Sequence, residues 1–286
     1  MRKTDIKIQP KMVNGFKDYL QERENAPATI EKYIRDVRTF LRYVDMVQED
    51  KIKKDILLDY KSWLLQHYSI SSVNSMIVAL NQFLIYLELG RLRLKRVRVQ
   101  RQDMENMEKE LTKEEFQKLV RDARKLGKDQ LAMIMETMCA TGIRVSELKF
   151  FRVETMRTGV VKVWNKGKYR LVIIPKELQM RLLFYIRKNG LSHGPIFCTK
   201  SGKEKDRSNI WKEMKKLAKE AGINTDKVFP HNLRHLFART FYKTTKNLIN
   251  LADILGHSNL EVTRSYASDG IKEWKRNLER MRILEV

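Results

Sequence analysis

Of the 286 residues, 58 are Lys or Arg and 35 are Asp or Glu, a formal net charge of +23. That excess points to a polyanionic partner. Twelve Gly and five Pro exclude a collagen-like or linker-dominated chain, and no apolar run reaches the roughly 18 residues a membrane span needs. The length predicts two domains at roughly 100–200 residues each. The first ten residues carry charge without an apolar core, so no secretory signal is expected. The two cysteines, Cys139 and Cys198, read as buried thiols of a cytoplasmic protein, without a disulfide framework.

Between residues 11 and 89 apolar residues recur at helical spacing, which predicts four helices. Phe16, Tyr19 and Leu20 mark the first; Pro27 interrupts, and Ala28 or Thr29 opens a second on Tyr33, Val37, Phe40, Leu41 and Val44. Ile56, Leu57, Tyr60, Trp63 and Leu64 mark the third, and Val73, Met76, Ile77, Leu80, Phe83, Leu84 and Leu87 the fourth, stopped by Gly90. This predicts a compact helical domain over 1–90.

A linker is expected over 91–110. Its first part, RLRLKRVRVQR, holds Arg91, Arg93, Lys95, Arg96, Arg98 and Arg101 with no acid; an extended strand would put these charges on one face, suited to a phosphate backbone. An acidic stretch follows, with Asp103, Glu105, Glu108 and Glu110.

A second domain is expected over 111–286, opened by a capping box of Thr112 and Glu115. After position 110 there are 37 basic and 19 acidic residues, so most of the excess charge lies there. An apolar helix over 130–140 ends near Thr141-Gly142. GVVKVW and YRLVIIP form a β-hairpin around Asn165-Lys166-Gly167-Lys168. Helices are predicted over 176–189, 208–221, 230–244, 248–255 and 259–267.

Metal-ligand spacing, a Walker A loop and a dinucleotide fingerprint are all missing from the sequence, which leaves the chemistry to side chains. Arg144, in TGIRVSEL, follows a helix end. Lys166 sits in the hairpin turn. In PHNLRH the proline takes a natural first helical position, and Leu233, Leu236, Phe237, Thr240 and Phe241 form the buried stripe, with His231 and Arg234 beside it and His235 further toward solvent. In LGHSNLE a glycine cap ends one helix and a Ser258/Glu261 box starts another, placing His257 in the tight turn. Tyr266 lies almost three turns further on.

These five motifs, in this order and over the whole chain, resemble the tyrosine recombinases, the phage integrases and Xer-type resolvases. The resemblance implies a mainly α protein: an N-terminal four-helix, SAM-like core-binding domain and a mainly helical catalytic domain with a small antiparallel hairpin, closing as a C-shaped clamp on DNA. One departure concerns the turn. The family often shows Gly-Lys-Gly-x-Lys-x-Arg, whereas the stretch from Asn165 to Arg170 is one residue shorter. Aligning on the Lys-Gly pair selects Lys166 as the catalytic lysine; counting back from Arg170 selects Lys168.

The resemblance also implies the reaction. Tyr266 would attack a scissile phosphodiester to give a 3′-phosphotyrosyl link and a free 5′-hydroxyl, with Arg144 and Arg234 clamping the non-bridging oxygens. Lys166 would protonate the leaving oxygen, His231 assist proton transfer at Tyr266, and His257 donate a hydrogen bond to the phosphate. Glu147 would orient Arg144. The partners implied are double-stranded DNA with short inverted sites, a homotetramer passing through a Holliday junction, and possible accessory proteins; no metal, cofactor or membrane is expected. No arm-binding domain is expected ahead of the core-binding helices. The C-terminal stripe of Ile271, Trp274, Leu278 and Met281 would pack on its own domain or enter a neighbouring protomer. A type IB topoisomerase is the rival with similar chemistry. A helix-turn-helix regulator is the non-catalytic rival, and it leaves Arg144, the hairpin lysine and the His-x-x-Arg helix without a role.

Overall fold

The computed structural model describes residues 12–49, 51–98, 110–165, 168–199, 201–257, 260 and 263. The chain divides into two compact units, Met1–Arg101 and Gln102–Val286. No helix among the described residues is long and apolar enough to cross a membrane.

The first unit holds α1 (Met12–Glu22), α2 (Pro27–Met46), α3 (Lys54–His67) and α4 (Ile70–Tyr86). Pro27 does not precede α2 but begins it, because the first helical N–H has no intrahelical acceptor to lose. Phe16, Val37, Phe40, Leu57, Leu64, Val73, Ile77, Phe83 and Leu84 are fully or almost fully buried and form one core. Each such side chain contributes roughly 1.5–3 kcal/mol on burial. Phe16 meets Phe83 edge-on at 5.2 Å, and Phe40 meets Tyr60 edge-on at 5.1 Å, so α1 is joined to α4 and α2 to α3.

After a 3-10 turn at Gly90–Leu92 the chain runs on to residue 98 without regular structure, and its apolar residues pack into the first unit's core: Leu94 is buried, Leu92 and Val97 partly so. Arg91, Arg93, Lys95, Arg96 and Arg98 are all exposed; Arg101 lies outside the described residues. Strict alternation fails once, since Lys95 and Arg96 both face solvent between Leu94 and Val97.

The second unit holds α5 (Lys113–Lys125), α6 (Asp129–Thr141), β1 (Val160–Asn165), β2 (Lys168–Ile173), α7 (Lys176–Lys188), α8 (Arg207–Glu220), α9 (Pro230–Thr245) and α10 (Leu248–Leu255). The expected Thr112/Glu115 capping box opens α5: the Glu115 N–H donates to Thr112 Oγ1 at 3.1 Å, and the Thr112 N–H to Glu115 Oε2 at 2.9 Å. Two 3-10 turns, Val145–Phe150 and Val153–Thr158, lead into the hairpin, whose antiparallel register pairs Val160 with Ile173 and Asn165 with Lys168. Val161, Val163, Val172 and Ile174 face the core, while Trp164, Tyr169, Leu171 and Ile173 face solvent. Both cysteines are free, but each is only partly buried, because Cys139 sits at the rim of the core beside α9 and Cys198 at a bridge with Glu204. The helix expected over 259–267 lies almost wholly outside the described residues, as do the Ser258/Glu261 box and the C-terminal stripe.

Candidate active site

The site begins where α6 ends. Gly142 takes a left-handed φ of +64°, and a Cβ there would lie 2.4 Å from a Phe237 ring carbon and 2.9 Å from Leu255. Only glycine lets α6, α9 and α10 approach so closely. The turn points the Gly142 carbonyl at Arg234, whose Nη1 donates to it at 2.5 Å, while Nη2 donates to the Leu255 carbonyl at 2.7 Å. Arg234 is 1% exposed. The expectation placed it beside the α9 stripe; it is instead among the largest fully buried side chains. Both acceptors stand at helix C-terminal ends, where partial negative charge favours a cation. Thr240, expected in that stripe, is exposed.

His257 follows the Gly256 cap of α10, itself at φ +64°. Arg234 Nη2 lies 2.9 Å from His257 Nε2, and His257 Nδ1 lies 2.9 Å from Thr263 Oγ1. A guanidinium has no acceptor, so Nε2 accepts and Nδ1–H donates to Thr263. In this geometry His257 holds Arg234 in place. Burial first, then the charges of Arg234, Arg144 and Arg170, push His257 down to about 4.

Arg144 heads the Val145–Phe150 turn, and Glu147, the turn's third residue, reaches back to cap its start. The carboxylate accepts from the Arg144 N–H at 2.8 Å and from Arg144 Nη1 at 3.1 Å. Glu147 is 1% exposed and also accepts from Arg170 Nη2 at 2.6 Å. Burial alone would raise its pKa; the Arg144 amide and the charges of Arg170 and Arg144 together outweigh that and lower it. Arg170 Nη1 reaches the Ile254 carbonyl at 2.6 Å, and the Arg170 stem lies so close over Gly256 that a Cβ there would sit 2.6 Å from Cδ. One carboxylate thus orients two guanidiniums while a third is held by carbonyls, leaving net positive charge for an anion.

His231 keeps a solvent-exposed edge at the start of α9. Desolvation of the rest of its ring, then the charges of Arg234 and Arg144, lower its pKa. His235 does not lie toward solvent as expected: it is half-buried and meets His231 edge-on at 4.4 Å, with its pKa pushed down to about 4 by burial and by His231 and Arg234. Arg144, His231, Arg234 and His257 therefore come together. Lys166 and Tyr266 lie outside the described residues, as does the side chain of Lys168. Sequence reasoning missed Arg170, Thr263 and His235 as members of the site. For Arg170 a signal existed: it shares strand parity with Val172 and Ile174, and an arginine on an apolar face requires a partner. No group of His, Cys, Asp and Glu that could hold a metal occurs among the described residues.

A mostly helical second unit gathers two arginines and two histidines around the end of α6, a set of side chains suited to a phosphodiester. Residues 109–272 match the profile of the phage integrase family, and residues 13–89 match that family's N-terminal SAM-like domain. The chain belongs to the phage integrase family, the tyrosine recombinases. Among similar proteins, tyrosine recombinase XerA of Pyrococcus furiosus is 26% identical over 289 residues, covering 97% of this chain and 96% of the relative. Tyrosine recombinase XerD of Vibrio cholerae is 29% identical over 273 residues, covering 89% and 90%. Among solved structures, XerH bound to a palindromic difH substrate after cleavage aligns with a TM-score of 0.73 at 19% identity, covering 93% of this chain and 84% of that one. A lambda integrase tetramer bound to a Holliday junction aligns with a TM-score of 0.71 at 15% identity, covering 92% and 78%.

Proposed function

We propose that this recombinase cuts and rejoins duplex DNA at short inverted sites through a transient 3′-phosphotyrosyl link to Tyr266. The observation that carries the reading is the mutual proximity of Arg144, His231, Arg234 and His257 in one electropositive cluster, with Arg234 fixed at full burial by the Gly142 and Leu255 carbonyls. Phosphoryl transfer concentrates charge on the non-bridging oxygens, and guanidiniums held in place before reaction stabilise it without reorganising.

In the proposed cycle, the Tyr266 oxygen bonds to phosphorus as the phosphorus–5′-oxygen bond breaks. His231 is the group that takes the phenolic proton, which its lowered pKa suits by keeping the ring neutral at pH 7. Lys166, at the end of the hairpin, supplies the proton to the leaving 5′-oxygen. The reverse attack by a partner strand's 5′-hydroxyl restores the phosphodiester and frees Tyr266, so no nucleotide cofactor is consumed, and the permanent cations leave no requirement for a divalent metal. The exposed Arg91, Arg93, Lys95, Arg96 and Arg98, with Arg101, contact the phosphate backbone. A homotetramer exchanging strands through a Holliday junction in the cytoplasm completes the reading, supported by the assembly that the lambda integrase structure contains.

The test incubates the protein in EDTA with nicked suicide duplexes carrying candidate sites. Wild type is expected to give an SDS-resistant protein–DNA adduct, and Tyr266→Phe none. An adduct from both proteins, or from neither on an authentic site, removes Tyr266 as nucleophile.

A further inference from the structure

The segment after α4, a strap over residues 91–98, is fastened to the first unit through its backbone as well as its apolar side chains. Asn81 Nδ2 donates to the Leu94 carbonyl at 2.9 Å and Asn81 Oδ1 accepts from the Leu94 N–H at 2.8 Å. Asn74 does the same for Val97, at 3.0 and 2.7 Å. Each amide thus imitates the paired bonds of a neighbouring strand. From α3, Lys54 Nζ donates to the carbonyls of Leu92 and Arg93 at 3.0 and 2.9 Å, and Lys61 Nζ to that of Lys95 at 2.9 Å.

The spacing explains the fit. Asn81 follows Asn74 by seven positions, and Lys61 follows Lys54 by seven. Seven helical residues rise about 10.5 Å, and three extended residues span about 10 Å, so successive anchors on each helix meet strap residues about three apart. The same three-residue step turns Leu94 and Val97 inward and leaves Lys95 and Arg96 both outward, which is why alternation fails there.

We propose that Asn74 and Asn81, assisted by Lys54 and Lys61, are positioning residues that hold Arg93, Lys95, Arg96 and Arg98 as a preset cationic row for the phosphate backbone of duplex DNA. This rests on the reading above that the strap contacts DNA. A loose strap carries the same charges but must be ordered at the moment of binding, and each backbone residue so ordered opposes association. Preset cations release the same counterions without that ordering, so the cradle changes affinity while leaving its salt dependence alone.

The experiment uses the full chain and a fluorescent duplex of mixed sequence, since backbone binding needs no particular site. Asn74→Leu/Asn81→Leu keeps side-chain bulk and removes the amides. Amide exchange at Leu94 and Val97 should speed up, and affinity should fall about 10-fold or more with an unchanged slope of log K against log salt. A second variant, with Arg93, Lys95, Arg96 and Arg98 all changed to Gln, should lower that slope by about one for each phosphate left without its cation. Wild-type affinity in the Asn variant despite released amides overturns the positioning role and leaves the DNA contact standing. Wild-type protection at Leu94 and Val97 overturns the cradle itself. An unchanged slope and affinity in the Gln variant overturns the DNA contact on which the proposal depends. Should the double Asn variant not fold, Asn74→Leu alone, read at the Val97 amide, gives the same decision.

Discussion

Arg170 on β2 and Glu147 on the turn after α6 meet at 2.6 Å, with the carboxylate 1% exposed. The pair couples the hairpin that carries Lys166 to the turn that carries Arg144, and through the Ile254 carbonyl it extends to the turn that carries His257. Three stretches of chain that contribute site residues are thus registered by one guanidinium.

Removing that guanidinium should leave a buried carboxylate short of its partner. Arg170→Met is expected to destabilise by about 3 kcal/mol, the usual scale for breaking a buried pair from one side. Glu147→Leu should cost a similar amount, and the double variant much less than the sum. Urea unfolding of the four proteins measures this directly; additive losses would mean that the two side chains do not act together.

Gly142 and Gly127 share a left-handed φ, +64° and +68°, but differ in surroundings. At Gly127 nothing lies within 4 Å of a built Cβ, so Gly127→Ala should lose only the conformational penalty of about 1–2 kcal/mol. Gly142→Ala adds a collision with Phe237 and Leu255 and should cost roughly 1–3 kcal/mol more. It should also slow adduct formation, since it moves the carbonyl that holds Arg234. Equal losses in chemical denaturation would refute the packing argument.

His235 and His257 are both pushed down to about 4, so each is neutral in the folded protein and protonates near 6.5 in the unfolded chain. The unfolded state therefore binds more protons between those values. Stability from these groups is complete above about pH 6.5 and is lost as pH falls toward 4. Thermal melts from pH 8 to pH 4.5 should be flat at first and then decline, with a shallower decline in His257→Asn.

Arg234→Lys keeps a charge but offers a point ammonium instead of a planar fork. It cannot satisfy the Gly142 and Leu255 carbonyls and His257 together while also facing a phosphate. Covalent adduct formation on suicide substrates should fall by about 100-fold or more, the range seen when a preorganised donor to a transition-state oxyanion is removed. A near-normal rate would place the charge stabilisation elsewhere.

Helices whose ends are written in local chemistry were legible from sequence. The Thr112/Glu115 box and the glycines at 142 and 256 mark termini because each supplies a bond or a φ that few other residues can. α2 opens at Pro27 rather than at Ala28 or Thr29, since the residue that interrupts one helix can also begin the next. What sequence left out depends on contacts between distant segments. The bonds of Arg170 to Glu147 and Ile254 span 23 and 84 positions, and those of Asn74 and Asn81 to the strap span 23 and 13, so no local window contains both partners. The sequence marks Arg234 as a candidate site residue but not its burial, because the carbonyls that hold it belong to backbone, which has no residue type to recognise.

The strap also bears on how such proteins can be spliced. A junction cut where α4 ends, at Tyr86, would separate Leu94 from its pocket and deprive Lys54, Lys61, Asn74 and Asn81 of their backbone partners. The exchangeable module in a hybrid between relatives therefore runs through residue 98. A chimaera that respects this limit inherits its cationic row together with the helices that shape it.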